Sequence, residues 1–409
     1  MASVVLLGTL DTKGPEYEFL RDRVRESGCD VLVVDAGVMS DSSSADITAD
    51  QVAAAAGEDR AALAAAHDRG PAVAAMTRGA TEVVKRLHAE GRLHGILSIG
   101  GSGGSSIAAA AMQALPVGVP KLIVSTMASG DTRPYVGTSD IAMLYSVVDI
   151  AGINGVSEKI LTNAAAAIAG MARVTDGFVS RIPKKPLIGA TMFGVTTPCV
   201  TTARERLEAL GYEVLVFHAT GSGGRSMEAL MQAGFITGVL DATTTELVDE
   251  LVGGVLSAGP DRLEMAGALG IPQVVSLGAL DMCNFGPRDT VPAQFSERNL
   301  YVHNATVTLM RTTEEECAEL GRTIARKLNA ARGPLTVFIP LGGVSMIATP
   351  GGPFYDPAAD VALVRELKGG LRPDIELVEM ATDINDPAFA TAMADKLDAH
   401  YRAWAAKQA

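Results

Sequence analysis

Short apolar runs alternate along this chain with longer stretches in which Ala, Leu, Val and Ile recur at helical spacing among Glu, Lys and Arg. In the first part, Val4–Gly8, Val31–Ala36, Gly95–Ile99 and Lys121–Ser125 predict strands. Helical patterns lie between them near Glu16–Ser27, Ala49–Arg69, Ala80–Glu90 and Ser105–Ala114. In the second part the strands read Leu187–Met192, Glu213–Phe217, Val239–Asp241, Gln273–Leu277, Thr336–Pro340 and Glu376–Met380. The matching helices read Pro198–Leu210, Ser226–Ala233, Thr244–Leu256, Thr313–Ala331, Ala358–Leu367 and Pro387–Ala405. Continuously apolar strands separated by helices indicate parallel sheets covered on both faces. The expected fold class is α/β, with two doubly wound, Rossmann-like lobes and mostly parallel sheets. The stretch Arg181-Ile182-Pro183-Lys184-Lys185-Pro186 is basic, holds two prolines and precedes a fresh strand. It reads as the linker between residues 1–183 and 184–409.

Composition sharpens this picture in three places. Aromatic residues are only 4% of the 409, so the cores must be aliphatic. The net charge of −13 repels nucleic acid and anionic membranes, so an anionic ligand must be captured by local cations. Cys29, Cys199, Cys283 and Cys317 form no C-x-x-C pair and read as buried thiols. The first residues lack a basic signal-peptide region, and no apolar run reaches ~18 residues, so a cytoplasmic protein is expected.

Glycine carries the chemistry. Ser98-Ile99-Gly100-Gly101-Ser102-Gly103-Gly104-Ser105 follows a predicted strand and opens a predicted helix. Without Cβ atoms, Gly101, Gly103 and Gly104 let backbone N–H groups and the helix dipole face an anion. Neither the Walker pattern nor G-x-G-x-x-G fits this spacing. The same residues satisfy G-x-S-x-G with Ser102 central, the elbow of a serine hydrolase, with Asp131 and His218 as candidate triad partners. Asp11, Thr12 and Lys13 follow the first strand, and Arg78 precedes a helical pattern. Lys13 and Arg78 supply cations for a phosphate, while Asp11 and Thr12 suit a hydroxyl, a metal or a base edge.

In the second lobe, His218 leads into Gly221-Ser222-Gly223-Gly224-Arg225, a second glycine loop expected to hold an anionic substrate. Asp281 and His303 complete a candidate catalytic set with His218. No paired-histidine or C-x-x-C spacing compels a metal, and the metal ligands stay undetermined. The two glycine loops are 120 residues apart, whereas the lobe starts at Gly8 and Gly189 are 181 apart, so a simple tandem duplication does not fit.

Gly8–Gly14, Ser98–Gly104, Phe217–Glu228, Asp281–Gly286, His303–Thr313 and Pro340–Pro357 together resemble the ATP-binding family named for the amino-terminal inhibitory domain of the tomato mosaic virus resistance protein. The resemblance spans about residues 2–405. It implies ATP with Mg²⁺ in the amino-terminal lobe, a homodimer, and nucleotide contacts at Asp11, Thr12, Lys13, Arg78 and Gly101–Gly104. The resulting expectation is an ATP-binding protein, and for an enzyme the expected reaction is ligase-like, ATP-dependent activation of a small carboxylate in a cleft between the lobes. The alternatives are a nucleotide-sensing or partner-binding module without catalysis, and the Ser102 hydrolase.

Overall fold

In the amino-terminal unit, strand β1 (Ser3–Gly8) pairs in parallel with β2 (Asp30–Asp35) along its whole length. On its other side it pairs with β3 (Gly95–Gly100) only as far as Leu6 and Leu97. β4 (Lys121–Ser125) and β5 (Ala142–Tyr145) extend the sheet to the order β2-β1-β3-β4-β5. Side chains alternate across it. Val4 and Leu6 face Tyr17, Leu20, Leu161 and Ile168, from the helices Leu10–Glu26 and Ser157–Thr175. Val5 and Leu7 face Met76, Val83, Ile107 and Met112, from the helices Arg69–Ala89 and Ser102–Gln113. Two aliphatic layers therefore sandwich the sheet, each fully buried Val, Leu or Ile contributing about 1.5–3 kcal/mol. The computed structural model describes residues 1–40, 44–178 and 185–408.

The carboxyl-terminal unit has a six-stranded parallel sheet among the described residues. Its strands are β6 (Leu187–Met192), β7 (Glu213–His218), β8 (Ile236–Thr243) and β9 (Gln273–Gly278), then β13 (Leu335–Pro340) and β14 (Glu376–Met380). Between β9 and β13 the chain makes a small antiparallel sheet of β10 (Met282–Phe285), β11 (Leu300–Asn304) and β12 (Val307–Arg311). The main sheet runs β14-β13-β9-β8-β6-β7. Counted within its own unit, each sheet has the order 2-1-3-4-5, and the second adds a sixth strand at the far edge. In this topology the crevice for a ligand opens between the first and third strands, outside their carboxyl ends.

The shared order explains why the glycine loops are unequally spaced. Gly101–Gly104 follows β3, the third strand of its unit, whereas Gly221–Gly224 follows β7, the second strand of the other.

The compact units are Met1–Ile182 and Pro183–Ala409, each with its own cores. Arg181–Lys184 of the expected linker lies outside the described residues. The expected helix over Ala49–Arg69 is instead Ala49–Ala55 and Arg60–Ala65. A new helix, Arg69–Ala89, starts at the Asp68 cap and absorbs Thr77-Arg78-Gly79, read from the sequence as a loop. Gly79 is there for contact and not for a turn: a Cβ would lie 1.9 Å from the Val52 carbonyl oxygen. β5 and β11 went unseen because they are short and largely exposed, which removes the apolar signal, and buried β10 and β12 because Asn284, Thr308 and Arg311 interrupt their short apolar runs. All four cysteines are buried free thiols, and no described helix is long and apolar enough to cross a membrane.

Candidate functional site

Beyond Leu6 and Leu97 the first and third strands of the amino-terminal unit part, and Tyr17 fills the split. Its hydroxyl donates to the Leu7 carbonyl (2.7 Å) and accepts from the Ile99 amide (3.0 Å). Burial pushes this hydroxyl up to about 12, so it keeps the proton it donates. Gly8 is required here, since a Cβ would sit 1.9 Å from the Tyr17 oxygen. The turn after Gly8 then carries the Thr9 and Thr12 hydroxyls 3.0 Å apart. Asp11 accepts from the Met39 amide beyond β2, and Lys13 donates to the Ile150 carbonyl at 2.7 Å.

On the adjacent strand, Gly101 caps the helix Ser102–Gln113, and no side chain caps its first turn. Gly100 and Gly104 pack on each other: a Cβ on Gly100 would meet the Gly104 Cα at 3.1 Å. Gly101 and Gly103 are roomier. Positions for their Cβ atoms lie 3.6 Å from the Thr126 hydroxyl and from an Arg69 guanidinium nitrogen. Arg69 is exposed and has no ion-pair partner among the described residues. An open helix start, two glycines and a spare guanidinium thus converge on one spot, the combination that seats an anion.

Of the two cations expected on this rim, Lys13 and Arg78, the second lies elsewhere. It sits mid-helix and pairs with Glu58 at 3.0 Å, nine residues or about 13 Å along the axis from Arg69. Arg69 was missed because Ala49–Arg69 read as one continuous helix. The signal was the Asp68-Arg69-Gly70-Pro71 helix start.

The hydrolase geometry is not assembled here. Ser102 opens its helix without the positive φ of a strained elbow, and it bonds to no imidazole or carboxylate among the described residues. Asp131 is held well below the usual range by Arg133.

The second glycine loop corrects its expectation as a substrate cradle, because its anion is internal. Gly221 and Gly224 N–H groups donate to one oxygen of Glu246, at 2.7 and 3.0 Å. Gly224 is glycine because a Cβ would lie 2.2 Å from the other Glu246 oxygen. That oxygen accepts from Arg262 Nε (2.7 Å), while the two terminal guanidinium nitrogens hold Asp241 at 2.6 Å each. Glu228 lies 3.5 Å from the same guanidinium, and burial keeps its carboxyl above the usual range. Thr191 ties Asp241 to β6 where β6 and β8 separate. This second switch point is therefore filled by the chain's own charges. Gly223 lies against the His218 carbonyl, Ser222 opens the helix Ser222–Gln232, and Arg225 folds back onto the Gly221 carbonyl.

The three expected catalytic residues do not come together. His218 is exposed at the end of β7, its ring 5.3 Å from that of Phe193. His303 is exposed on β11. Asp281 is fully buried, with one oxygen bonded to the Ser345 hydroxyl (2.8 Å) and the other without a partner. No hydrogen bond or ion pair links any two of them among the described residues.

Burial pushes Asp281 up to about 6 and Asp249 up to about 7. Asp249 accepts from both nitrogens of Asn284 and from the Leu256 amide. In the folded chain both carboxyls hold a proton at pH values where the unfolded chain has released it. Their stabilisation is thus complete below about 4 and is lost as pH rises to about 7, at ~1.4 kcal/mol per unit for each titrating group. The urea midpoint is expected to fall from pH 5 to pH 8, and Asp249→Asn to remove much of that slope; an unchanged slope in the variant refutes the assignment.

Residues 2–177 match the description "Uncharacterised protein family (UPF0261) N-terminal domain", and residues 185–401 match its C-terminal domain. A UPF0261 protein of Clostridium tetani is 55% identical over 96% of this chain and 98% of its own length. A UPF0261 protein of Rhizobium meliloti is 48% identical over 96% and 97%. The ToMV resistance protein Tm-1(GCR237) of Solanum lycopersicum is 43% identical over 96% of this chain, which spans 55% of the plant protein. With both domains matched in order and the two bacterial relatives aligned almost end to end, the chain belongs to the UPF0261 family.

Proposed function

We propose that this is an ATP-binding protein whose amino-terminal unit takes the phosphates at the start of the helix Ser102–Gln113. The observation that carries the reading is the uncapped first turn behind Gly101 with the Arg69 guanidinium beside Gly103. The helix start offers roughly half a positive charge, and the guanidinium a fork for two phosphate oxygens. Lys13 keeps two ammonium hydrogens beyond the one given to Ile150, and Asp11, Thr9 and Thr12 face the same edge of the sheet. No three His, Cys, Asp or Glu side chains gather into a metal cage among the described residues. The donor set therefore suits a Mg²⁺ that arrives on the phosphates and takes at most one carboxylate, Asp11, the rest being water.

ATP with Mg²⁺ at 100 times Kd should stabilise the chain by ~2.7 kcal/mol and raise its melting temperature by several degrees. Arg69→Ala is expected to weaken binding about tenfold or more, and Arg78→Ala to leave it unchanged. A melting curve unmoved by millimolar ATP, or equal losses in the two variants, overturns the reading. Stoichiometric product from ATP and a small carboxylate separates an ATP-dependent, ligase-like enzyme from a nucleotide sensor.

A further inference from the structure

The sixteen residues 341–356 after β13 form neither helix nor strand, yet they are fastened on every side. Leu341 and Gly342 amides donate to the Met380 and Thr382 carbonyls. The Val344 carbonyl accepts from Ala279, a non-glycine residue held at φ +57°. Ser345 bonds to buried Asp281, and the Met346 amide to the Val195 carbonyl. Buried Arg311 donates to the Phe354 and Asp356 carbonyls and to the Asp360 carboxylate. Ordering so long a segment costs much conformational entropy, and long irregular loops in compact domains are typically functional. Here two buried charges and a strained alanine are committed to holding it in one shape.

What that shape builds is a cavity of about 450 Å³ between the loop and one stripe of the helix Pro357–Gly370. Leu341, Val344, Val361 and Val364 give it an apolar wall, and half-exposed Tyr355 also lines it. Leu341 and Val361 are 55% and 62% exposed, so this wall faces solvent. The charged groups lining it are Asp360, Arg365 and Lys368. The Asp360 charge is taken by buried Arg311 at 2.7 Å, whereas Arg365 and Lys368 are exposed and hold only surface ion pairs, which are weak enough for a ligand carboxylate to compete for them. Glu366 and Glu379, which pair with Arg365 and Lys368, are not among the lining residues. The cavity lies outside the carboxyl end of a sheet strand, is mostly apolar and has few polar groups, as small-molecule sites are.

We propose that this cavity binds an amphiphilic carboxylate, with an acyl chain or ring against Leu341, Val344, Val361 and Val364 and its carboxylate on Arg365 and Lys368. A preformed wall spares the ligand the cost of ordering it. The site lies within the carboxyl-terminal unit and does not depend on ATP binding in the other. Asp281 and Arg311 are positioning residues, acting through the loop.

The test uses the full chain and 8-anilinonaphthalene-1-sulfonate, an anionic ring probe read by fluorescence, with decanoate as competitor and decanol as the neutral control. Saturable 1:1 binding is expected, with decanoate displacing the probe at least tenfold better than decanol. Val361→Glu should weaken decanoate at least tenfold. The double variant Arg365→Glu/Lys368→Glu should weaken decanoate but not decanol. Both changes are at exposed positions, and an unchanged melting curve verifies the fold. Non-saturable binding, equal affinity for decanoate and decanol, or wild-type affinity in both variants overturns the proposal. The ATP-induced melting shift of Val361→Glu should equal that of the wild type, which keeps the two sites' tests apart.

Discussion

Arg262→Met is expected to abolish folding of the carboxyl-terminal unit. The guanidinium is 1% exposed and serves three carboxylates, of which Glu246 is fully buried and Asp241 nearly so. Removing one partner of a buried pair costs about 3–5 kcal/mol, because the remaining charge has neither water nor a counter-ion. Three carboxylates sharing one arginine put the cost at or above the upper end, comparable to the whole stability of many domains. Calorimetry should lose the transition of residues 183–409 while that of the amino-terminal unit persists. Glu246→Gln should do less harm, since an amide oxygen still accepts from Gly221 and Gly224. An Arg262→Met chain melting within a few degrees of the wild type would show that the cluster is not ionised as described.

The second large effect is expected at Gly8. In Gly8→Ala the new methyl would lie 1.9 Å from the Tyr17 oxygen and 2.0 Å from the ring carbon that bears it. Tyr17 is 1% exposed and cannot swing aside without giving up Leu7 and Ile99. Overpacking of this kind costs about 3 kcal/mol. Because the Thr9–Lys13 turn begins at that residue, the ATP-induced shift should fall as well. A double-mutant cycle with Tyr17→Leu tests the cause. The clash predicts that the double variant is destabilised by less than the sum of the two single changes, and simple additivity refutes it.

Much of the fold was legible because parallel strands buried on both faces leave long apolar runs, as Val4–Gly8 and Leu187–Met192 do. β11 was illegible for the opposite reason: four of its five residues are exposed, so nothing in its apolar pattern marks it. Glycine misled where it serves packing. Gly79 resembled a turn but admits the Val52 carbonyl, and Gly224 resembled a ligand cradle but admits Glu246. Local sequence announces that a backbone needs room, not what fills it. Glu246 and Arg262 follow the loop by more than twenty residues, and no spacing rule joins them to it. Arg69 was within reach, since an Asp cap followed by Gly-Pro marks a helix start.

The common strand order bears on the origin of the two glycine loops. Aligning β1 with β6 brings β3 onto β8, so Gly101–Gly104 falls opposite Thr244 to Leu247, and Gly221–Gly224 falls opposite the turn after β2. The two Gly-Ser-Gly-Gly runs therefore occupy non-equivalent positions in one strand order, despite their similar sequence. In the carboxyl-terminal unit the negative charge at the glycine loop is permanent, with Glu246 as the resident anion. In the amino-terminal unit the helix start behind Gly101 has no side-chain cap, and it is there that the proposed ATP phosphates would supply the negative charge.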